Sequence, residues 1–335
     1  MLTSAPVAVL LPTHDHASTL ELAARSVLEQ TYADLALVVI GDGIGDDTRD
    51  VLADLRRDDG RVVVVDRPKA PRHGERTRDE VIRDLGSPIV VYHGDDDLLL
   101  PHHVATMIEL LAGHDFAHPL PIIVRGDDDL LHLPVDLSER AWVQWHLHPR
   151  RNTISLTGAA HTLDSYRRLP VGWRETPAGR WTDHYMWQQF FALPDLRAVT
   201  GSRATTVKLD AGLRAGDDRW DRLEEIERWW ARMHAEGFGS EWEAMVSRAV
   251  REAANRASLV ASAHEDQVLA LTAERDSLLP HAEALAGAEA RAAAATEQAE
   301  VARTAAESAT HDLDVMSGSA SWRVTAPLRR LRSLW

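Results

Sequence analysis

Cysteine is absent from this chain of 335 residues, and lysine is nearly absent. Without cysteine there is no disulfide framework, Cys-ligated zinc, thiol nucleophile or iron–sulfur cluster. Only Lys69 and Lys208 are lysines among the 37 basic residues, a skew that we interpret as the codon usage of a GC-rich bacterial genome. Apolar runs such as Val7–Pro12 are far shorter than the ~20 residues that a helix needs to cross a bilayer. The sequence therefore predicts no membrane span.

An excess of positive charge is also lacking, because 37 basic residues stand against 52 acidic ones and the net charge is −15. Nonspecific nucleic-acid binding depends on a basic surface, so we expect no nucleic-acid partner. The apolar segment Met1–Pro12 has no basic region before it, which favours a first strand over a signal peptide. The predicted location is the cytoplasm.

Short β-branched runs alternate with amphipathic stretches up to about Asp210. The predicted strands are Val7–Leu11, Leu35–Ile40, Val62–Val65 and Pro88–Tyr92. The predicted helices between and after them are Thr19–Gln30, Asp47–Arg56 and Arg76–Leu85. This alternation indicates an α/β fold with a doubly wound parallel sheet. Ligands of such sheets bind beyond the carboxyl ends of the strands.

Three consecutive carboxylates, Asp95–Asp97, follow the fourth predicted strand. Clustered oxygen ligands suit a hard divalent ion such as Mg²⁺ or Mn²⁺. Magnesium prefers one or two carboxylates together with phosphate oxygens of a substrate, which indicates a diphosphate ligand. A solvated acidic turn is the alternative. A second triplet, Asp127–Asp129, lies in a predicted hairpin turn after Ile122–Val124 and provides a comparison within the chain.

Several segments follow one another in a distinctive order. They are Val7–Asp15, Ser26–Tyr32, Leu37–Gly43, Arg76–Asp79, Asp95–Asp97 and Trp181–Trp187. In this order they resemble the family-2 glycosyltransferases of the GT-A fold, over roughly residues 5–205. The resemblance implies an enzyme that binds a nucleotide-diphosphate sugar, with a metal ion that neutralises the diphosphate as it leaves.

The resemblance also implies roles for individual residues. Asp97 would bind the metal ion, and Asp95 would share the metal or hold the ribose. The residues implied to bind the nucleotide sugar are Thr13, Asp15, Asp42, Arg78, Asp95 and Asp96. The Arg78 guanidinium would pair with the aspartates or with the diphosphate, and a purely structural ion pair is the alternative.

Asp183, in the segment Trp181–Trp187, is the predicted general base. Inverting transfer needs a carboxylate that accepts the proton of the acceptor hydroxyl from the side of the sugar opposite the diphosphate. That carboxylate should come from a different segment than the metal triplet, as Asp183 does. The alternative is an acidic residue that only stabilises a helix N-terminus.

Four positions depart from the family pattern. Gly41 and Gly94 stand where a carboxylate is usual, Asp79 stands in place of an asparagine, and Thr182 stands in place of a glutamate. These departures support a second hypothesis, in which a catalytically silent GT-A-like domain serves as a scaffold and a coiled coil mediates assembly.

The C-terminal part predicts a long helical extension. Leu271, Leu278 and Leu285 repeat every seven residues, as in a coiled coil, and Pro280 should kink or break the helix. The basic tail, residues 317–335, has four arginines and no acidic residue. It would contact an anionic membrane surface or fold back on its own domain. The predicted domains are 1–210 (GT-A), 211–240 (helical linker), 241–316 (long helix or coiled coil) and 317–335 (tail).

Taken together, the sequence predicts an inverting, metal-dependent glycosyltransferase with Mg²⁺ or Mn²⁺ as cofactor. It would move a sugar from a nucleotide-diphosphate donor to a hydroxyl-bearing glycan or a lipid-linked acceptor, in bacterial surface-polysaccharide assembly. We expect a homo-oligomer formed through the C-terminal helix and peripheral contact with the inner face of the plasma membrane.

Overall fold

A computed structural model of the protein describes residues 1–14, 16–210 and 219–318. Contacts within the chain divide it into two compact units, Met1–Ala257 and Ser258–Trp335. The domain boundaries at 210, 240 and 316 stay predictions. Most of the basic tail and Asp15 lie outside the described residues.

The described residues form strands and helices in alternation. The strands are β1 (Val7–Thr13), β2 (Leu35–Asp42), β3 (Val62–Arg67), β4 (Ile89–Tyr92), β5 (Leu98–Leu99), β6 (Phe116–His118), β7 (Ile122–Val124), β8 (Leu130–His132), β9 (Ala160–Thr162), β10 (Ala198–Thr200) and β11 (Thr206–Val207). The helices are α1 (Ala17–Leu28), α2 (Asp46–Asp58), α3 (Glu75–Arg83), α4 (His103–Leu111), α5 (Arg140–His146), α6 (Leu163–Arg167), α7 (Thr182–Phe191), α8 (Arg219–Met233) and α9 (Phe238–Gly318).

A seven-stranded sheet in the order β10-β6-β9-β4-β1-β2-β3 forms the centre of the first unit. Strands β4, β1, β2 and β3 are parallel, whereas β9 runs antiparallel between β4 and β6. The predicted α/β class is confirmed, and the predicted hairpin is present as the antiparallel pair β7–β8.

Residues of the central strands alternate between two hydrophobic clusters, as expected where both faces of a sheet are covered. In β1, Ala8 and Leu10 pack in the cluster with Trp187 of α7. Val7 and Val9 pack in the other cluster, with Leu20 of α1. Both faces of the sheet are thus covered by apolar packing.

A third cluster joins the end of the sheet domain to the helices that follow. Val207 and Leu209 are fully buried there against Trp229 of α8 and Trp242 of α9. Because side chains alternate along an extended segment, the intervening Lys208 is directed away from this cluster. This packing fixes the position of Lys208.

The second unit consists, in its described part, of the continuing helix α9, whose Leu271, Leu278 and Leu285 are 57 to 62% exposed. The predicted long helix is confirmed, whereas the coiled coil stays a prediction. Of the two effects expected at Pro280, the break is wrong, because α9 continues through it, and the kink stays a prediction. Proline removes one helical N–H, and the carbonyl that loses its partner lies on an exposed helix, where water can bond it. None of the helices in the described ranges combines the length and hydropathy of a membrane-spanning segment.

Candidate functional site

The carboxyl ends of neighbouring parallel strands bring three predicted segments to one edge of the sheet. Thr13 ends β1, Asp42 ends β2, and the acidic turn Asp95–Asp97 follows β4. Thr13 and Gly41 are register partners, so the first two ends lie side by side. The Oγ1 atom of Thr13 is buried and has no hydrogen-bond partner among the described residues. This edge is where ligands of such sheets bind.

Asp97 is buried, with 1% of its side chain exposed, and is surrounded by hydrogen-bond donors of the protein. The Nζ atom of Lys208 lies 3.3 Å from Oδ1 and 3.2 Å from Oδ2. The backbone N–H of Leu209 donates to Oδ1 at 2.9 Å, and the hydroxyl of Thr157 donates to Oδ2. Burial raises the pKa of Asp97, and the Lys208 ammonium acts in the opposite direction. Both oxygens of the predicted metal ligand are therefore engaged.

Asp95, the second predicted metal ligand, is engaged in the same way by a different cation. Its Oδ2 lies 3.0 Å from Nδ1 of His16, and its backbone carbonyl accepts a hydrogen bond from Thr19 Oγ1 at 2.8 Å. The Asp95 carboxylate raises the pKa of His16, which favours the charged imidazolium. Asp96, between the two, is partly exposed.

The contacts of Asp97 oppose binding of the predicted Mg²⁺ or Mn²⁺ ion there. A metal ion at Asp97 would have to displace the Lys208 ammonium from both carboxylate oxygens. Within the described residues, no group of three or more His, Cys, Asp or Glu side chains is arranged to hold a metal ion. As they stand, these residues do not fit a divalent ion at Asp97.

Asp42 is 8% exposed and also has a lysine partner. Lys69 Nζ donates to Oδ2 at 2.5 Å, and the backbone N–H of Ala70 donates to Oδ1 at 2.6 Å. Asp42 therefore holds the loop between β3 and α3 against the end of β2. Its predicted nucleotide contact stays a prediction.

Arg78 lies in α3 with only 9% of the residue exposed. Its guanidinium carbon is 4.8 Å from the ring centroid of Trp173, and Nη2 donates to the carbonyl of His73 at 2.7 Å. Burial lowers the pKa of Arg78, and the charges of Glu75, Asp42 and Asp183 oppose that shift. The buried cation thus lies within electrostatic reach of two predicted site carboxylates.

Asp183 is the second residue of α7, where an acidic side chain is stabilised by the helix dipole. Its Oδ1 accepts a hydrogen bond from the backbone N–H of His184 at 2.6 Å. Burial raises the pKa of Asp183, although Lys208 and Arg78 act to lower it. The carboxylate lines a cavity of about 150 Å³ with Ser155 and Thr206. A larger cavity of about 540 Å³ near Trp242 contains none of the predicted site residues.

Two departures from the family pattern have steric reasons. A side chain at position 94 would place its Cβ 2.9 Å from Thr157 Oγ1 and 3.0 Å from Asp97 Oδ2, so Gly94 leaves room for the contacts of Asp97. A Cβ at position 41 would lie 3.0 Å from the side chain of Ile44.

The third departure, Asp79, serves the packing of the domain. Its Oδ1 accepts a hydrogen bond from the Tyr166 hydroxyl at 2.7 Å, and its Oδ2 accepts one from Arg83 Nε at 2.8 Å. The same hydroxyl accepts a hydrogen bond from the backbone N–H of Trp173 at 2.9 Å. Asp79 thus connects α3 to the segment that carries the Arg78-stacking tryptophan.

Sequence reasoning missed three basic partners of the site aspartates, namely Lys208, Lys69 and His16. The scarcity of lysine is the one sequence signal for two of them, and both lysines of the chain contact an aspartate that was predicted as a site residue. No comparable signal marks His16 among the 17 histidines.

The chain is similar to a bacterial enzyme over part of its length. The enzyme GalNAc(5)-diNAcBac-PP-undecaprenol beta-1,3-glucosyltransferase of Campylobacter jejuni is 27% identical over 112 residues, which are 33% of this chain and 36% of that protein. The chain thus matches about a third of the length of this relative.

Two solved structures are similar to this chain at low identity. TarS 1–349 of S. aureus in complex with UDP-GlcNAc is 13% identical, with a TM-score of 0.49 over 73% of this chain and 71% of that one. A mannosyltransferase of Pyrobaculum calidifontis in complex with GDP-Man and Mn²⁺ is 17% identical, with a TM-score of 0.45 over 73% and 69%.

A sequence model described as Glycosyl transferase family 2 matches residues 8–170. This segment contains the ends of β1, β2 and β4 and the acidic turn, whereas Asp183 and Lys208 lie beyond it. Residues 8–170, just under half of the 335-residue chain, are thus similar to glycosyl transferase family 2.

Proposed function

We propose that this protein transfers a sugar from a nucleotide-diphosphate donor to a hydroxyl group of an acceptor, with inversion at the anomeric carbon. The main support is that Asp183 lines a cavity together with Thr206 of β11, the strand that Lys208 directly follows. Lys208 in turn contacts the acidic turn at the sheet edge. A base and a diphosphate-facing region thus come from separate segments, as inverting transfer requires.

In the proposed reaction the acceptor oxygen forms a bond to the anomeric carbon while its proton passes to the Asp183 carboxylate. The bond from that carbon to the diphosphate oxygen breaks, and the nucleoside diphosphate leaves with the electron pair. A raised pKa makes a carboxylate a better proton acceptor near neutral pH. Arg78 would offset negative charge near the donor.

The cofactor stays a prediction. The family resemblance implies Mg²⁺ or Mn²⁺ at Asp97 and Asp95, but these carboxylates already contact Lys208 and His16. We therefore assign no step of the reaction to a metal ion.

The acceptor and the cellular setting are also proposals. The name of the Campylobacter jejuni relative describes a lipid-linked acceptor, which supports a hydroxyl-bearing glycan or a lipid-linked acceptor here. Oligomerisation through α9 is supported by its exposed apolar side chains. The cytoplasmic location and the membrane contact of the basic tail stay predictions.

Titration calorimetry with UDP, GDP and dTDP tests the donor proposal. We expect one of them to bind the full chain, and the Asp97→Asn variant to bind it more weakly, because an amide no longer holds the Lys208 ammonium in place. The matched control is Asp128→Asn, because Asp128 belongs to the second acidic triplet and is 76% exposed. If none of the three nucleotides binds with or without Mn²⁺, the enzyme proposal is wrong.

The scaffold remains the second candidate function. It is favoured by one observation, namely that Asp42 and Asp97 both contact lysines of the chain. The same titration separates the two functions, because a scaffold binds no nucleotide.

A further inference from the structure

We propose that the Lys208 ammonium faces the diphosphate of the donor and supplies the positive charge that the family resemblance assigns to a divalent ion. This inference rests on the proposed function, because it concerns how the same donor is bound.

The fold places Lys208 for this role. It directly follows β11, which pairs with β5, and β5 begins at the residue after Asp97. Because Val207 and Leu209 are anchored in the third cluster, the lysine between them extends to the acidic turn. The cation is therefore a fixed part of the sheet edge where donors bind.

Lys208 can exchange one of its hydrogen bonds for a hydrogen bond to a phosphate oxygen. Its Nζ contacts both oxygens of Asp97 and donates to the backbone carbonyl of Leu209 at 3.0 Å. An ammonium group has three donors, and a bond to a charged phosphate oxygen is stronger than one to a neutral carbonyl. The ammonium N–H that faces the Leu209 carbonyl can turn to the phosphate, while the contacts between Lys208 and Asp97 are kept. Lys208 would then bridge carboxylate and phosphate.

The choice of lysine is specific in this chain, where only two of 37 basic residues are lysine. Lysine presents a compact point charge on a flexible stem, whereas arginine presents a broad planar fork. The surroundings of Asp97 are tight, since position 94 has no room even for a Cβ. A compact ammonium suits this space.

The neighbouring carboxylate supports the same interpretation. Asp95 contacts His16, and the Arg222 side chain on α8 lies 3.4 Å from the other nitrogen of that imidazole. Both predicted metal ligands therefore have a basic side chain of the chain as a partner. At Asp97 that partner is the Lys208 ammonium.

Calorimetric titration of UDP, GDP and dTDP in EDTA and in Mn²⁺ tests the inference. We expect wild-type protein to bind one nucleotide equally well in both conditions. Lys208→Met should weaken that binding about 10- to 100-fold in EDTA, as expected for the loss of a charge-assisted hydrogen bond. The matched control Arg203→Met removes an exposed cation of the preceding loop and should bind as wild type does.

The outcomes separate this inference from the proposed function. Binding that occurs only with Mn²⁺ overturns the role of Lys208 and leaves the glycosyltransferase proposal intact. Absence of binding in both conditions overturns both. Unchanged binding by a folded Lys208→Met variant also overturns the role of Lys208.

A second variant covers the case in which Lys208→Met does not fold, since it leaves Asp97 buried without its cation. Asp97→Asn/Lys208→Met removes both charges together and should fold. We expect this double variant to lose nucleotide binding in EDTA. Retained binding would show that the pair is only structural. Electron paramagnetic resonance of added Mn²⁺ gives an independent measurement, and we expect no Mn²⁺ binding by nucleotide-free wild type.

Discussion

Replacing Asp183 with asparagine tests whether its carboxylate is catalytic or only stabilises the helix. Asparagine keeps the size and the polarity of the side chain but cannot accept the proton of the acceptor hydroxyl. We expect the transfer rate to fall about 10²- to 10⁴-fold, the usual contribution of a general base. That loss corresponds to roughly 2.7–5.4 kcal/mol in the activation barrier.

The same substitution should lower the transfer rate but should not lower the free energy of unfolding at neutral pH. Burial raises the pKa of Asp183 in the folded protein, so the folded state holds this proton more tightly than the unfolded chain does. The associated stability is present below the unfolded pKa and is lost as the pH rises through the folded pKa. At neutral pH the Asp183→Asn variant should therefore be at least as stable as wild type, and the difference should vanish in acid.

Asp47→Asn provides the matched control, because Asp47 is likewise the second residue of its helix, α2, but is exposed. Loss of a favourable dipole interaction there should cost about 0.3–1 kcal/mol without changing the transfer rate. The assays are urea unfolding and donor consumption measured across pH.

Wild-type activity should decrease as the pH falls through the raised pKa of Asp183, because the base becomes protonated. If Asp183→Asn keeps full activity and loses stability as Asp47→Asn does, Asp183 is a helix-terminal residue and the base assignment is wrong.

Three further substitutions test other parts of the structure. Gly94→Asp, which restores the carboxylate of the family pattern, should destabilise the fold by about 1–3 kcal/mol through overpacking against Thr157, and urea unfolding with the stability of wild type would contradict this. Tyr166→Phe removes the hydroxyl that bonds Asp79 and should cost about 1–3 kcal/mol in the same assay, whereas an unchanged midpoint would show that these groups find other partners. Leu278→Glu on α9 should reduce the oligomeric mass measured by light scattering if apolar residues of this helix join the chains, and a monomeric wild type would refute that proposal.

The parallel part of the sheet could be predicted because each strand is a short apolar run with a helix after it. The predicted strand Leu35–Ile40 lies within β2, and Val62–Val65 lies within β3. The antiparallel strand β9 is only three residues long and includes His161, so no periodicity marks it in the sequence. Its partners β4 and β6 determine its place.

Of the ion pairs at the acidic turn, only the anions could be predicted from the sequence. Asp95–Asp97 are adjacent in the sequence and follow a strand, whereas their cations come from distant segments. Lys208 is 111 residues away from Asp97, and His16 belongs to the loop after β1. The scarcity of lysine was visible in the sequence, but an interpretation based on codon usage gave no reason to connect Lys208 with Asp97.

The two acidic triplets differ in the burial of their carboxylates. In the second triplet, Asp128 pairs with Arg232 and Asp129 pairs with Arg125, but these carboxylates are 76% and 57% exposed. Exposed pairs contribute about 0–1 kcal/mol and need no function to explain them. Asp97 is 1% exposed beside Lys208, and a buried pair adds little net stability, since desolvation offsets the attraction between the charges. Folding alone therefore gives little reason for a Lys–Asp pair at this sheet edge, whereas a donor diphosphate that needs a cation there does.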